Sequence, residues 1–304
     1  MIMKRIFLIL TLLLSSCYTF SQQDTQFTQY MDNPLYVNPG YAGSRGMLNA
    51  TMIHREQWVG IEGAPRSTSF SLHSPLSYES LGLGVTVVND QVGPINQTWV
   101  FADFSFTIKF KNPKHKLSFG LKAGLNMINS RTNELTTTQV NDPSLLGGSY
   151  MNVNPNFGAG IYYHTPKWFF GASTPKFLEG KYPGLDRNLE KRHCFFIGGG
   201  VFDIDNNWKL RPTTQVKLTE GAPLSLDLSL AGIYNQKLWL GLNHRFGDSF
   251  GAFVQHQISN QFKVGFAYDY SITKLTNYNI GSLEVLLSYD FVFKKGGIRS
   301  PRYF

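Results

Sequence analysis

The chain has 304 residues, of which only 16% are charged and 14% aromatic, with 29 glycines and a formal charge of +8. That length is long for one soluble domain but normal for one large barrel, and soluble chains sit nearer ~25% charged. No apolar run of about 18 residues lies beyond the N-terminus, which excludes a helical membrane protein, and the basic residues form no stripe with a readout element, which excludes a nucleic-acid partner.

Residues 1–21 read as a secretory signal. Lys4 and Arg5 form its basic start, residues 6–14 its apolar stretch, and Thr19 and Ser21 are the small residues that place cleavage near Gln22. A second reading stays open: Leu14-Ser15-Ser16-Cys17 has the form of a lipobox, which would leave Cys17 as a lipidated N-terminus. If Cys17 leaves with the signal, Cys194 is alone and no disulfide can form; in the run HCFFIGGG it reads as a small apolar strand residue.

Residues 22–45 carry QFTQYMDNPLYVNPGYAGSR, dense in Asn, Pro, Tyr and Gln, with neither a helical period nor clean alternation. Such a segment cannot build a core of its own. Its amides and its two Asn-Pro pairs, which favour extended backbone before each proline, suit a polar cavity, so a plug-like segment is expected.

From residue 46 to residue 295 the dominant signal is period two. Leu117, Phe119, Leu121, Ala123 and Leu125 alternate with Ser118, Gly120, Lys122, Gly124 and Asn126. Leu224 to Leu230, Phe262 to Tyr268, Leu81 to Val87 and Leu283 to Tyr289 behave alike: one face wholly apolar, the other small, polar or singly charged. About fourteen such segments occur, an even number as bacterial barrels require. They are 46–59, 65–75, 80–90, 97–110, 116–129, 154–165, 168–174, 191–203, 208–218, 223–234, 237–246, 250–258, 262–272 and 283–293. A soluble sandwich alternates too. Three features favour a transmembrane antiparallel β-barrel, all-β in class, with the N-terminal segment packed in or against its lumen. The segments are roughly nine to twelve residues long. Trp58, Trp99, Trp168, Trp208, Trp239, Tyr289, Phe291 and Phe293 read as interfacial girdles. Lys122, Asp227, Arg245 and Asp269 are isolated charges on the alternate face.

The connections are of two kinds. DIDNNW, FGDSF and ISNQF are tight polar turns, whereas residues 131–152 and 177–192 are long and read as the extracellular face. The lysine-rich turn 109–116 suits phosphate-rich headgroups. Residues 296–304 are a C-terminal tail.

No catalytic, cofactor or metal motif is present: no HExxH, GxSxG or P-loop. Asn141-Asp142 is half a calcium loop without the rest of its pattern. His244 beside Arg245 and His256 beside Gln255 fall in adjacent strands and admit a lumen cluster, although hydrogen-bonded strand residues are the simpler reading. The chain therefore reads as a non-enzyme needing no cofactor.

The stretch FTQYMDNPLYVNPGYAGSRG, then HREQWVGIEGAPRSTSFSLHSPL, then the closing SYDFVFKKGGIRSPRYF resemble the PorP/SprF family of type IX secretion and gliding-motility membrane proteins of Bacteroidetes. Gly40 stands where the pattern has alanine. The resemblance covers essentially the whole mature chain. It implies an outer-membrane component that binds a secreted, adhesin-type cargo through a type B C-terminal sorting domain and helps secrete or anchor it at the cell surface. Implied partners are that cargo, other type IX components and outer-membrane lipid. The signature positions carried over as a plug or docking element are Gln26, Gln29, Tyr30, Asn33, Pro34, Asn38, Pro39, Tyr41, Gly43, Arg55, Trp58 and Pro65. Loop length alone adds Tyr150, Phe177, Tyr182, Arg187 and Arg192 as docking candidates. The alternative function is a pore for small solutes.

Overall fold

The computed structural model describes residues 25–76, 78, 80–131, 149–180 and 191–292. The signal segment, the C-terminal tail, Phe293, the Asn141-Asp142 pair and the candidates Tyr182 and Arg187 lie outside them.

The alternating segments form β1 (Leu48–Glu56), β2 (Arg66–Pro75), β3 (Leu81–Val92), β4 (Ile95–Lys109), β5 (Lys116–Ser130), β6 (Tyr150–His164), β7 (Trp168–Thr174), β8 (His193–Gly200), β9 (Phe202–Asp203), β10 (Trp208–Thr219), β11 (Ser225–Tyr234), β12 (Leu238–Arg245), β13 (Ser249–Gln257), β14 (Phe262–Ser271) and β15 (Ser282–Phe291). β8 and β9 both pair with β10 and make one stave interrupted at Val201. Each stave pairs antiparallel with the next, and β15 returns to β1 from Leu48↔Phe291 to Glu56↔Leu283. The result is a closed barrel of fourteen staves. β4, β5 and β6 reach 15 residues each, longer than the alternation implied, and β6 begins at Tyr150 rather than at 154.

The barrel is apolar outside and polar inside. On β4, Val100, Phe104, Phe106 and Ile108 are exposed, while Asp103 and Ser105 are buried; on β5, Leu121 is 63% exposed while Lys122 and Asn126 are buried. In water this wall would be one large apolar patch. In lipid it is the correct solvent match, and closure leaves no unpaired strand edge. Among the described residues no helix is long and apolar enough to cross a membrane.

Strand parity sorts the connections by end. Residues 76–80, 110–115, 165–167, 204–207, 235–237 and 258–261 are short turns at one end, where β1 also begins and β15 finishes. Both long connections, 131–149 and 175–192, lie at the opposite end with 57–65 and 272–281. These are called the turn end and the loop end below.

The aromatic girdle needs one correction. Trp168, Trp208 and Tyr289 face outward at the turn end, but Trp99 and Trp239 are only 6% and 3% exposed and point into the lumen. Their parity decides this: Trp99 shares the face of Asp103, and Trp239 that of Asn243 and Arg245. The paired histidines also separate from their neighbours. His244 stacks on Phe250 on the outer wall with ring centroids 4.0 Å apart, and His256 is exposed, so no lumen histidine cluster forms.

Candidate functional site

The lumen is occupied by residues 25–45. This segment is not extended, as the Asn-Pro pairs suggested; it folds as three successive 3-10 turns at Tyr30–Asp32, Pro34–Tyr36 and Pro39–Tyr41. Proline explains the difference. Pro34 and Pro39 open the second and third turns, where a missing N–H costs nothing and the fixed φ suits the turn. Of the residues before the two prolines only Asn38 stays extended, and it uses that geometry to cap, its Oδ1 accepting from Gly40 N at 2.9 Å.

Charge locks the segment from two sides. Asp32, 2% exposed, accepts from Lys263 Nζ at 2.5 Å and from Gln255 Nε2 at 2.7 Å, with Arg211 Nη2 at 3.5 Å. Burial alone would raise its pKa, but Lys263 and Arg211 prevail and hold the carboxyl well below the usual range. On the adjoining staves Arg55, also 2% exposed, bonds Asp269 Oδ2 at 2.5 Å and Glu284 Oε2 at 3.3 Å. Its Nη1 also donates to Thr28 Oγ1 at 2.8 Å. Glu284 in turn accepts the backbone N–H groups of Thr28 and Gln29, each at 2.8 Å. Lys122, paired with Asp103 at 3.1 Å, donates to the Leu35 and Tyr36 carbonyls.

Neutral bonds fill the gaps between these clamps. Asn33 Oδ1 accepts from Ser71 Oγ at 2.6 Å, Tyr30 OH donates to Thr213 at 3.2 Å, and Asn38 Nδ2 donates to the Ile161 carbonyl at 2.9 Å. Gln29 Oε1 accepts from Gln255, and Gly43 N donates to His73 Nδ1. Leu35, Val37, Tyr41 and Ala42 pack on Tyr162, Phe169, Phe195 and Ile197, while Tyr30 and Met31 pack on Ala231, Phe253 and Ala267.

Glycines admit the segment's backbone. A Cβ on Gly120 would stand 2.1 Å from Gly40 N, one on Gly82 would stand 2.3 Å from the Ala42 carbonyl, and one on Gly160 would stand 2.2 Å from Asn38 Oδ1. The lumen face alternates small residues because main chain, not water, lies against it. Gly40 itself belongs to this close approach, which suits its departure from alanine.

The segment has a direction. Gln26 Nε2 donates to Ser225 Oγ at the loop-end start of β11, whereas Arg45 meets Asp290 at 3.6 Å at the turn end. The chain therefore runs the length of the lumen before β1 begins.

Of the signature residues, Gln26, Gln29, Tyr30, Asn33, Pro34, Asn38, Pro39, Tyr41, Gly43 and Arg55 come together in the lumen. Trp58 and Pro65 do not. They lie in the β1–β2 connection, where Trp58 takes a φ of 49° and donates its N–H to Ser282 Oγ, and the Pro65 carbonyl accepts from Gln57 N. Tyr150 is the first residue of β6, at the loop end. Phe177 packs on Phe157 of the outer wall with centroids 5.6 Å apart, and exposed Arg192 donates to its carbonyl at 3.2 Å. Sequence reasoning missed Asp32, Arg211, Lys263 and Glu284. The last three were visible as polar residues on a small face, but only register pairs residues 231 positions apart. Among the described residues no group of three His, Cys, Asp or Glu forms a metal cage.

A family model described as type IX secretion system membrane protein PorP/SprF matches residues 19–289. No curated protein sequence matches the chain. Among solved structures, the outer membrane protein Omp33 of Acinetobacter baumannii is 8% identical with a TM-score of 0.47, covering 81% of this chain and 98% of that one. The CymD monoaromatic hydrocarbon channel is 15% identical at a TM-score of 0.48, covering 87% and 93%. A Pseudomonas aeruginosa FadL homologue is 12% identical at 0.42, covering 84% and 93%. Likenesses this distant say nothing about ligands.

Proposed function

We propose a docking role for this chain, which belongs to the PorP/SprF family of type IX secretion system membrane proteins. It is an outer-membrane β-barrel of that machinery, and the proposed role is to bind a secreted, adhesin-type cargo through its C-terminal sorting domain and retain it at the cell surface. The mechanism is binding, with no bond made or broken.

The observation that carries this reading is the filled lumen. A passive pore for small solutes requires a continuous water path, and residues 25–45 reach β10, β14, β15 and β1 through the ion-pair clamps and β6, β7 and β8 through apolar packing. The working surface is then the loop end. Short turns mark the periplasmic side of outer-membrane barrels and long loops the outer side, so the 131–149 and 175–192 connections face outward. Tyr150, Phe177 and Arg192 lie there, and aromatic and arginine side chains are the usual binding hot spots; Tyr182 and Arg187 belong to the same surface in this proposal.

Purification of the tagged protein from its native envelope in mild detergent, with mass spectrometry of what accompanies it, tests this. A stoichiometric surface protein joined through its C-terminal domain is expected. A barrel that comes alone and conducts ions steadily in planar bilayers overturns the docking role in favour of the pore.

A further inference from the structure

The outer wall at the turn end carries a recess of about 470 Å³ unrelated to the plug. Register builds it. Lys116↔His164 and Leu117↔Tyr163 set the β4–β5 turn beside the β6–β7 turn, and Tyr163↔Phe170 brings β7 alongside. Lys114, His115, Tyr163, Lys167, Trp168 and Phe170 line it.

Its upper half is cationic and hydrogen-bonding. His115 Nδ1 and Tyr163 OH share a bond of 2.6 Å. When Tyr163 donates, the imidazole carries its hydrogen on Nε2 and presents a donor. Lys167 Nζ lies 2.8 Å from Asp203 Oδ2, but Lys209 shares the same carboxylate, so two lysines divide one acid, and Lys114 adds a further cation to the lining. The neighbouring Asp205 is turned into its own loop, accepting from Asn207 and Trp208 N–H groups at 2.7 Å. Lys114 makes no ion pair among the described residues.

Its lower half is apolar and faces the membrane. Phe170 is 55% exposed, and Ile161 and Phe119, exposed and cross-strand neighbours, continue from it toward mid-bilayer. Trp168 stands at the rim, edge-on to Phe202 at 4.8 Å, where interfacial tryptophans belong. Positive charge above, a donor-bearing rim and an apolar strip below match one molecule.

We propose that this recess is a binding site for an anionic phospholipid of the periplasmic leaflet. Its phosphate lies among Lys114, Lys167 and His115, and its acyl chains lie along Phe170, Ile161 and Phe119. The short turns at this end place it in the leaflet made of phospholipid. Cations at a membrane surface draw anionic headgroups, each lysine adding severalfold in affinity. The site stands whether or not the barrel docks cargo.

The test is native mass spectrometry of the full chain, stripped of lipid in detergent and titrated with phosphatidylglycerol or phosphatidylcholine. The wild type retains one phosphatidylglycerol about tenfold better than phosphatidylcholine. The Lys114→Ser/Lys167→Ser variant, shown folded by its heat-dependent gel mobility, loses about thirtyfold in phosphatidylglycerol affinity. Lys114→Ser alone, in an exposed turn, loses about fivefold and serves if the double variant fails to fold. Lys237→Ser, in the turn between β11 and β12, changes nothing. Equal retention of the two lipids, unchanged affinity in the Lys114 variants, or an equal loss in Lys237→Ser overturns the site.

Discussion

Asp32→Asn keeps the size of the side chain and removes only its charge. Three buried groups converge on that carboxylate: Lys263 at 2.5 Å, Gln255 at 2.7 Å and Arg211 at 3.5 Å. The amide can still satisfy Gln255, but Lys263 and Arg211 lose the buried carboxylate between them. Lys263 also lies over the Trp239 ring at 5.3 Å, too weak a contact to compensate. Breaking one side of a buried pair costs roughly 3–5 kcal/mol, and ~1.4 kcal/mol is a factor of ten. The population with the first two turns undocked therefore rises about a hundred- to a few thousandfold. Hydrogen exchange measured by mass spectrometry reads this directly. Peptides covering residues 27–37 exchange faster by that factor in the variant, while peptides from β4 and β5 do not change. Glu56→Gln is the control, because Glu56 meets Arg66 at 3.7 Å on the exposed side of β1 and β2, and surface pairs contribute about 0–1 kcal/mol. Plug exchange within threefold of wild type in Asp32→Asn, or exchange accelerated equally throughout the barrel, refutes the clamp.

Gly120→Val forces side-chain atoms into the Gly40 backbone; it displaces the third turn and converts a silent barrel into one that shows conductance steps in planar bilayers. Leu121→Lys places a charge on the lipid face near mid-strand and lowers the stability of the vesicle-folded barrel by about 2–4 kcal/mol in urea titrations, whereas Leu121→Ile leaves it within ~1.5 kcal/mol. Tyr150→Ala with Arg192→Ala lowers retention of the co-purified cargo by at least tenfold without altering heat-dependent gel mobility.

The staves were legible because alternation is local. Leu121 and Lys122 declare opposite faces on their own, and thirteen of the fourteen segments begin within three residues of where β1–β15 begin; β6 is the exception, since Asn152 and Asn154 blur its start. Which face is inside could not be read from alternation alone: Trp99 and Trp239 looked like girdle residues until their parity with Asp103 and Asn243 placed them inward. The plug's position followed from its composition, but its shape did not, because a proline favours both an extended residue before it and a turn that opens on it, and here the turns prevail. The clamps were least legible. Arg55 was singled out for its place in a motif, yet Glu284 lies 229 residues away, and only closure of the barrel brings the two together.

The plug's course constrains how the barrel is made. It enters at the loop end, leaves at the turn end and continues directly into β1, the stave that closes against β15. The glycine cradle leaves no clearance: main chain meets main chain at Gly120 and Gly82. A finished cylinder offers no clearance for this folded segment to be drawn through it, so the segment is expected to be seated before β1 pairs with β15.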